Sequence, residues 1–161
     1  MYEKFGQFIA GNWSPSSNNE TYEVINPATE EVLGHASKAT PADVDRALKS
    51  AEQGLQIWKK TPPWQRSYVL RKIADKLREK KDTLAKWMTL ENGKPLAEGV
   101  GETNGAADIF EWNAEETKRI FGQTIESRFE DTRVHVYYQP VGVVAALSPW
   151  NFPLILAARK I

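Results

Sequence analysis

Pro140-Val141-Gly142-Val143-Val144-Ala145-Ala146-Leu147-Ser148-Pro149-Trp150-Asn151-Phe152-Pro153 is the stretch from which the architecture is read. From Val141 to Leu147 the chain is apolar, partly β-branched and free of charge, the pattern of a strand buried on both faces of a parallel sheet. Ser148-Pro149 stops such a ladder, because proline has no N–H to donate. Pro153 stands where a first helical turn accepts it, and Leu154-Ile155-Leu156-Ala157-Ala158 carries a helix onward. Trp150 and Asn151 therefore fall in a tight strand-to-helix loop, the end of an α/β sheet at which ligands bind. Asn151 brings chemistry to that loop, since a carboxamide N–H₂ donates to a developing oxyanion without titrating or adding charge. Asn is equally common as a plain turn or capping residue, and spacing alone leaves both readings open.

Upstream of this stretch the period of the sequence changes twice. Gln123-Thr124-Ile125-Glu126-Ser127 and Arg133-Val134-His135-Val136-Tyr137-Tyr138-Gln139 alternate as the two strands of a ribbon around residues 128–132. A lone ribbon is marginal in water and leaves open edges, so something must cover it, either a neighbouring subunit or its own domain. Before it, Leu96, Val100, Thr103, Ala107, Phe110, Ala114, Thr117 and Phe121 mark one long helix that Gly122 ends. Its Gly99, Gly101 and Gly105 each weaken it by roughly 1 kcal/mol relative to Ala, and such small residues permit close packing. A shorter helix starts at Asp82, turns Leu84, Ala85 and Met88 inward, and closes at Asn92-Gly93. Two more precede it. One opens on Thr40-Pro41-Ala42-Asp43 and presents Val44, Ala47, Leu48, Ala51, Leu55 and Trp58 to a core. Thr61-Pro62-Pro63 begins the other, with Val69, Leu70, Ile73, Ala74 and Leu77 inward. Residues 7–36 read as short strands: Gln7–Trp13 and Thr21–Ile25 around a polar turn at 16–19, then Glu31–Ala36.

The bulk numbers bound the function. Across 161 residues, 21 Lys+Arg balance 21 Asp+Glu, which argues against an electrostatic grip on nucleic acid or anionic membrane. The basic residues between Arg66 and Lys81 are interleaved with acids and read as a solvated helix face. No apolar run approaches the roughly 20 residues that span a bilayer, and Met1-Tyr2-Glu3-Lys4-Phe5 opens no export signal. The absence of cysteine removes disulfides as a guide to compartment, which leaves a cytoplasmic location as the default. His35 has no second His, Cys or acid cluster near it and reads as a surface strand residue; His135 lies on the polar-facing set of the ribbon with Arg133 and Gln139, and neither is assigned a catalytic role. Glu91 and Lys94, at a helix end, read as capping and surface-pairing residues.

Three motifs, in order, carry a resemblance. Ile25-Asn26-Pro27-Ala28-Thr29-Glu30, Glu91-Asn92-Gly93-Lys94-Pro95-Leu96, and Gln139–Val144 followed by Ser148–Pro153 resemble the aldehyde dehydrogenase superfamily, and the likeness covers nearly the whole chain. The resemblance implies an α/β fold, the N-terminal part of a Rossmann-type cofactor domain. Strands and helices would occupy 1–121, an oligomerisation ribbon 122–140, and the first parallel strand and helix of the core 141–161. It implies NAD or NADP as cofactor, a small aldehyde as substrate, and a homodimer or homotetramer paired through the ribbon. By the same resemblance Asn151 lends its side chain to the oxyanion hole, while Leu147, Ser148, Pro149 and Trp150 line the cofactor.

The family's nucleophilic cysteine, glycine-rich loop and general-base glutamate follow the Trp-Asn motif and are not among these residues. Together with an ending inside a helix at Arg159-Lys160-Ile161, this makes the chain the expected first third of an enzyme, inactive alone. A truncated relative that only binds or oligomerises is the alternative. Eight positions after Asn151, Arg159 matches the succinate-semialdehyde dehydrogenase group, in which an arginine there holds the substrate carboxylate. Residues 89–98 also look like that group. The lactaldehyde dehydrogenase group shares an Ile-Ala-Arg-Lys pattern at this place, and a surface arginine near a helix end is the plain reading.

Overall fold

Local chemistry starts and stops the helices. The structure is a computed structural model and describes residues 6–161. Thr40 and Asp43 form a reciprocal capping box at the head of α1 (Pro41–Trp58): the Asp43 N–H donates to the Thr40 hydroxyl, and the Thr40 N–H to the Asp43 carboxylate at 2.9 Å. Proline occupies the first helical position of α2 (Pro63–Glu79) as it does in α1. Next, α3 (Lys81–Asn92) ends where Gly93 turns left-handed at φ 78°, a conformation open to glycine without steric cost. A last long helix, α4 (Leu96–Glu116), follows at once.

α4 is the axis of the molecule, with α2, α3 and the short α5 (Pro153–Ala158) packed around it. Ala74, Ala106, Ala107, Phe110 and Ala158 form the buried cluster where α2, α4 and α5 meet. So small a core lets backbones approach closely. A Cβ added at Gly99 of α4 would lie 3.0 Å from the Cα and the carbonyl oxygen of Ala85 in α3. One added at Gly105 would lie 2.9 Å from the Ile155 side chain of α5. Gly101, by contrast, faces open space. The basic residues of α2 pair across to α4: Arg71 with Glu115, and Arg78 with Asp108 and Glu111 at 2.8 and 2.6 Å.

The described strands form three separate antiparallel pairs. β1 (Gln7–Ile9) and β2 (Asn12–Ser14) make a hairpin of their own, where a single strand over 7–13 is expected from the pattern. Ala10 and Gly11, both at positive φ, form its two-residue turn, so the reversal lies within the run rather than after it. β3 (Thr21–Ile25) pairs with β4 (Val32–Ser37) across a bulge at Val24/Ile25. β5 (Gln123–Glu126) and β6 (Arg133–Val136) form the ribbon expected from the alternation, in register Gln123↔Val136 to Glu126↔Arg133.

Three expectations need correction. Residues 141–147 are extended but join no ladder among the described residues, and Val141 and Leu147 are 93% and 80% exposed. A strand is not a local state: its N–H and C=O groups need a neighbouring chain, and none of the described strands lies alongside. The apolar stripe of α1 is likewise open, with Val44, Leu48 and Trp58 exposed and Asp43 the one buried residue of that helix. Finally, α4 ends at Glu116 and not at Gly122, so Phe121 lies beyond the helix and is exposed. Met1–Phe5, read above as no export signal, lie outside the described residues.

Candidate functional site

Phe152-Pro153 creates a local deficit that the rest of the fold answers. The N-cap of α5 is Phe152, whose side chain cannot accept a hydrogen bond, so the first-turn donors need a partner from elsewhere. Glu102 of α4 supplies it. One carboxylate oxygen, Oε1, accepts from the backbone N–H groups of Leu154 at 2.8 Å and Ile155 at 3.2 Å. Its other oxygen, Oε2, pairs with the Lys94 ammonium. A carboxylate at a helix N-terminus also meets the positive end of the helix dipole.

Lys94 then fixes the loop itself. Its Nζ donates to the backbone oxygen of Asn151 at 2.8 Å and lies 4.4 Å from the centre of the Phe152 ring. Asn92 works from the same turn. Its side-chain nitrogen donates to the Trp150 carbonyl at 3.1 Å, and its side-chain oxygen accepts from the Lys94 N–H at 2.9 Å. Pro27, from the first of the three motifs, packs against this turn, since a Cβ on Gly93 would come 3.3 Å from its ring. The second motif thus holds residues 150–152 of the third, and the first packs against the second.

Lys94 is therefore not the surface-pairing residue its helix-end position implies. Its side chain is 8% exposed and that of Glu102 is 0%. A buried ion pair is tolerated when its remaining hydrogen-bonding capacity is used, and here both groups also serve backbone partners. Glu91 does stay at the surface of α3, where partial burial raises the affinity of its carboxyl for a proton.

With its backbone held, Asn151 is exposed and lines a cleft of about 290 Å³ together with Asn92, Lys94, Glu98 and Trp150. Among the described residues its carboxamide makes no hydrogen bond, which leaves both N–H donors available. Leu147, Ser148, Pro149 and Trp150 precede it as an open ledge, with Trp150 78% exposed. Arg159 lies at the opposite end of α5, at its C-cap, exposed and without an ion pair among the described residues. The fold brings Trp150 and Asn151 together with Asn92, Lys94 and Glu102, and leaves Arg159 apart from them. His135 bonds Thr124 across the ribbon at 3.1 Å, and His35 stands opposite Glu23 in the β3–β4 pair. No cluster of metal-ligating side chains occurs among the described residues.

Glu102 is the site residue that the sequence reading misses. A signal was available: Glu102 falls on the stripe of α4 that carries Gly99, Ala106 and Phe110, and an acid on an apolar stripe requires a buried partner.

Comparison with known proteins adds the context. The model of the aldehyde dehydrogenase family matches residues 13–161. Glutarate-semialdehyde dehydrogenase of Pseudomonas putida is 44% identical over 153 residues, which are 95% of this chain and 32% of that protein. The NADP(+) succinate-semialdehyde dehydrogenase of Escherichia coli is 42% identical over 152 residues, 94% of this chain and 32% of its own. Among solved structures, succinate-semialdehyde dehydrogenase from Burkholderia pseudomallei superimposes with a TM-score of 0.91 at 40% identity, over 94% of this chain and 32% of that one. The chain spans about a third of the length of the curated relatives it matches. The mixed helix-and-strand architecture expected from the three motifs agrees with that superposition.

Proposed function

The chain belongs to the aldehyde dehydrogenase family, and from that premise we propose that it supplies the oxyanion-binding loop of an NAD(P)-dependent dehydrogenase that oxidises a short semialdehyde to a carboxylic acid. The observation that carries this reading is the state of Asn151: its backbone oxygen is held by Lys94, while its carboxamide is unengaged at the edge of a cleft. In such an enzyme a cysteine thiolate outside these 161 residues adds to the aldehyde. The Asn151 N–H₂ then donates to the oxygen on which charge develops, a role a neutral amide fills at any pH of interest.

The ledge of Leu147, Pro149 and Trp150 is apolar, exposed and adjacent to Asn151, which fits a flat nicotinamide ring. When bound, NAD or NADP accepts the hydride of the oxidation. Arg159 is assigned to the far carboxylate of the substrate, because a guanidinium binds a carboxylate through two parallel charge-assisted hydrogen bonds. Support for a carboxylate-bearing substrate comes from the Pseudomonas putida and Escherichia coli relatives, which are glutarate- and succinate-semialdehyde dehydrogenases. The ribbon of β5 and β6 is assigned to subunit pairing. Its strands lie almost wholly exposed and pair with no other strand among the described residues, so their outer edges are open.

The test is an assay of the complete protein with succinic semialdehyde and either NAD or NADP. Formation of the reduced nicotinamide is expected. No turnover with this or any other short aldehyde would overturn the reading.

A further inference from the structure

The geometry points to Lys94 and Glu102 as a positioning pair for the Asn151 carboxamide, an inference that rests on the oxyanion role proposed above. An oxyanion donor acts only if it is held where the charge will appear, so the residue that fixes its main chain matters to catalysis without touching substrate. Asn151 sits in the short loop before α5, and two restraints define its place. Glu102 anchors the helix that follows through the Leu154 and Ile155 N–H groups. Lys94 ties the Asn151 carbonyl directly and caps the Phe152 ring beside it. Because the Lys94 ammonium and the Glu102 carboxylate also bind each other, the two restraints form one unit linking α4, the α3–α4 turn and the loop.

Burial makes that unit stiff. Both side chains are almost wholly excluded from solvent, so neither can exchange its partners for water. Side chains that merely decorated the turn would not place a charge pair there, where desolvation is costly unless every group is satisfied.

The decisive experiment is a double-mutant cycle in the complete dehydrogenase. Lys94→Met keeps the length and apolar stem of the side chain but removes the ammonium. Loss of the whole oxyanion donor is worth about 10² to 10³ in kcat, and misplacing it is expected to forfeit about 10-fold. The KM for aldehyde and the affinity for NAD(P) should stay within about 2-fold. In an Asn151→Ala background the same Lys94→Met change should cost less than about 2-fold, because the group it positions is gone. Glu102→Gln serves as the second variant. Its carbonyl can still accept from the Leu154 and Ile155 amides while the charge facing Lys94 is lost, and it should show the same coupling to Asn151.

Equal losses in both backgrounds, or no loss of kcat from Lys94→Met, would overturn the positioning role. An Asn151→Ala enzyme with unaltered kcat would instead remove the oxyanion reading itself, so the two failures are distinguishable. Hydrogen exchange at the Leu154 and Ile155 amides gives a readout independent of turnover. Glu102→Ala should accelerate it at these two positions by 10-fold or more, and unchanged rates there would show that the anchor is not formed.

Discussion

At the residue scale the site divides labour between backbone and side chain. Lys94, Asn92 and Glu102 each hold a main-chain atom of the loop or of α5, while the Asn151 carboxamide makes no hydrogen bond among the described residues. Asn151→Ala is accordingly expected to lower kcat of the complete enzyme by about 10² to 10³, with little change in substrate or cofactor binding, as steady-state kinetics and a cofactor titration would show. Arg159 is a different case, because its side chain is exposed and has no ion pair among the described residues. Its proposed partner is the substrate carboxylate, so Arg159→Leu should raise KM sharply for succinic semialdehyde and leave butyraldehyde nearly unaffected. A charged hydrogen bond lost here is worth roughly 1.5–3 kcal/mol, about one to two decades in kcat/KM. Equal losses for both aldehydes would mean a folding role for Arg159.

At the scale of elements, glycines in one helix have opposite meanings. Gly99→Val would drive a branched side chain into the backbone of Ala85, and the α3–α4 contact is expected to lose about 1–3 kcal/mol. Gly101→Ala meets nothing and removes the flexibility of an exposed helical glycine, which should add roughly 0.5–1 kcal/mol. Urea unfolding of the two variants in the complete protein, beside the unsubstituted one, reads both signs. The head of α1 has its own pH dependence. Asp43 accepts hydrogen bonds from the Thr40 and Ser17 N–H groups, pairs with Arg46 and holds Gln7, and these contacts keep its carboxyl well below the usual carboxylate range despite burial. A carboxylate with a depressed native pKa contributes its stability above its unfolded value of about 3.9, and loses it as pH falls further towards the native value. Asp43→Asn should therefore be less stable than the parent protein at pH 7, with the gap closing below about pH 4.

At the scale of the whole molecule, apolar surface is the dominant feature. Val44, Leu48 and Trp58 on α1, Val141, Val144 and Leu147 ahead of the loop, and Trp150 within it are all exposed. Monomers rarely leave so much apolar surface open without a partner, and residues 141–147 add backbone donors and acceptors that join no ladder among the described residues. By itself the 161-residue chain is expected to associate and to melt without a sharp transition. Sedimentation velocity and a thermal scan would show this, and a monodisperse monomer with a cooperative melt would contradict it. The isolated chain should also reduce neither NAD nor NADP in the presence of aldehydes. No helix among the described residues is long and apolar enough to cross a membrane.

Signals that act over three or four residues could be read from the sequence unaided. Thr40, Pro41, Pro63 and Pro153 start helices where they stand, Gly93 ends one, and the alternating segments within 123–136 pair as a ribbon. Each depends on a backbone preference or a hydrogen bond to a near neighbour, so the local residues suffice. The ordered motifs likewise identified the family. Tertiary structure alone decided what those elements touch. It buried Lys94 and Glu102 beneath a loop some fifty residues further along the chain, and it separated Gly99 from Gly101 by what faces each. It also left 141–147 without a ladder. Those outcomes depend on groups distant in sequence arriving at one place: a buried charge needs a partner, a close contact needs a second backbone, and a strand needs another strand beside it.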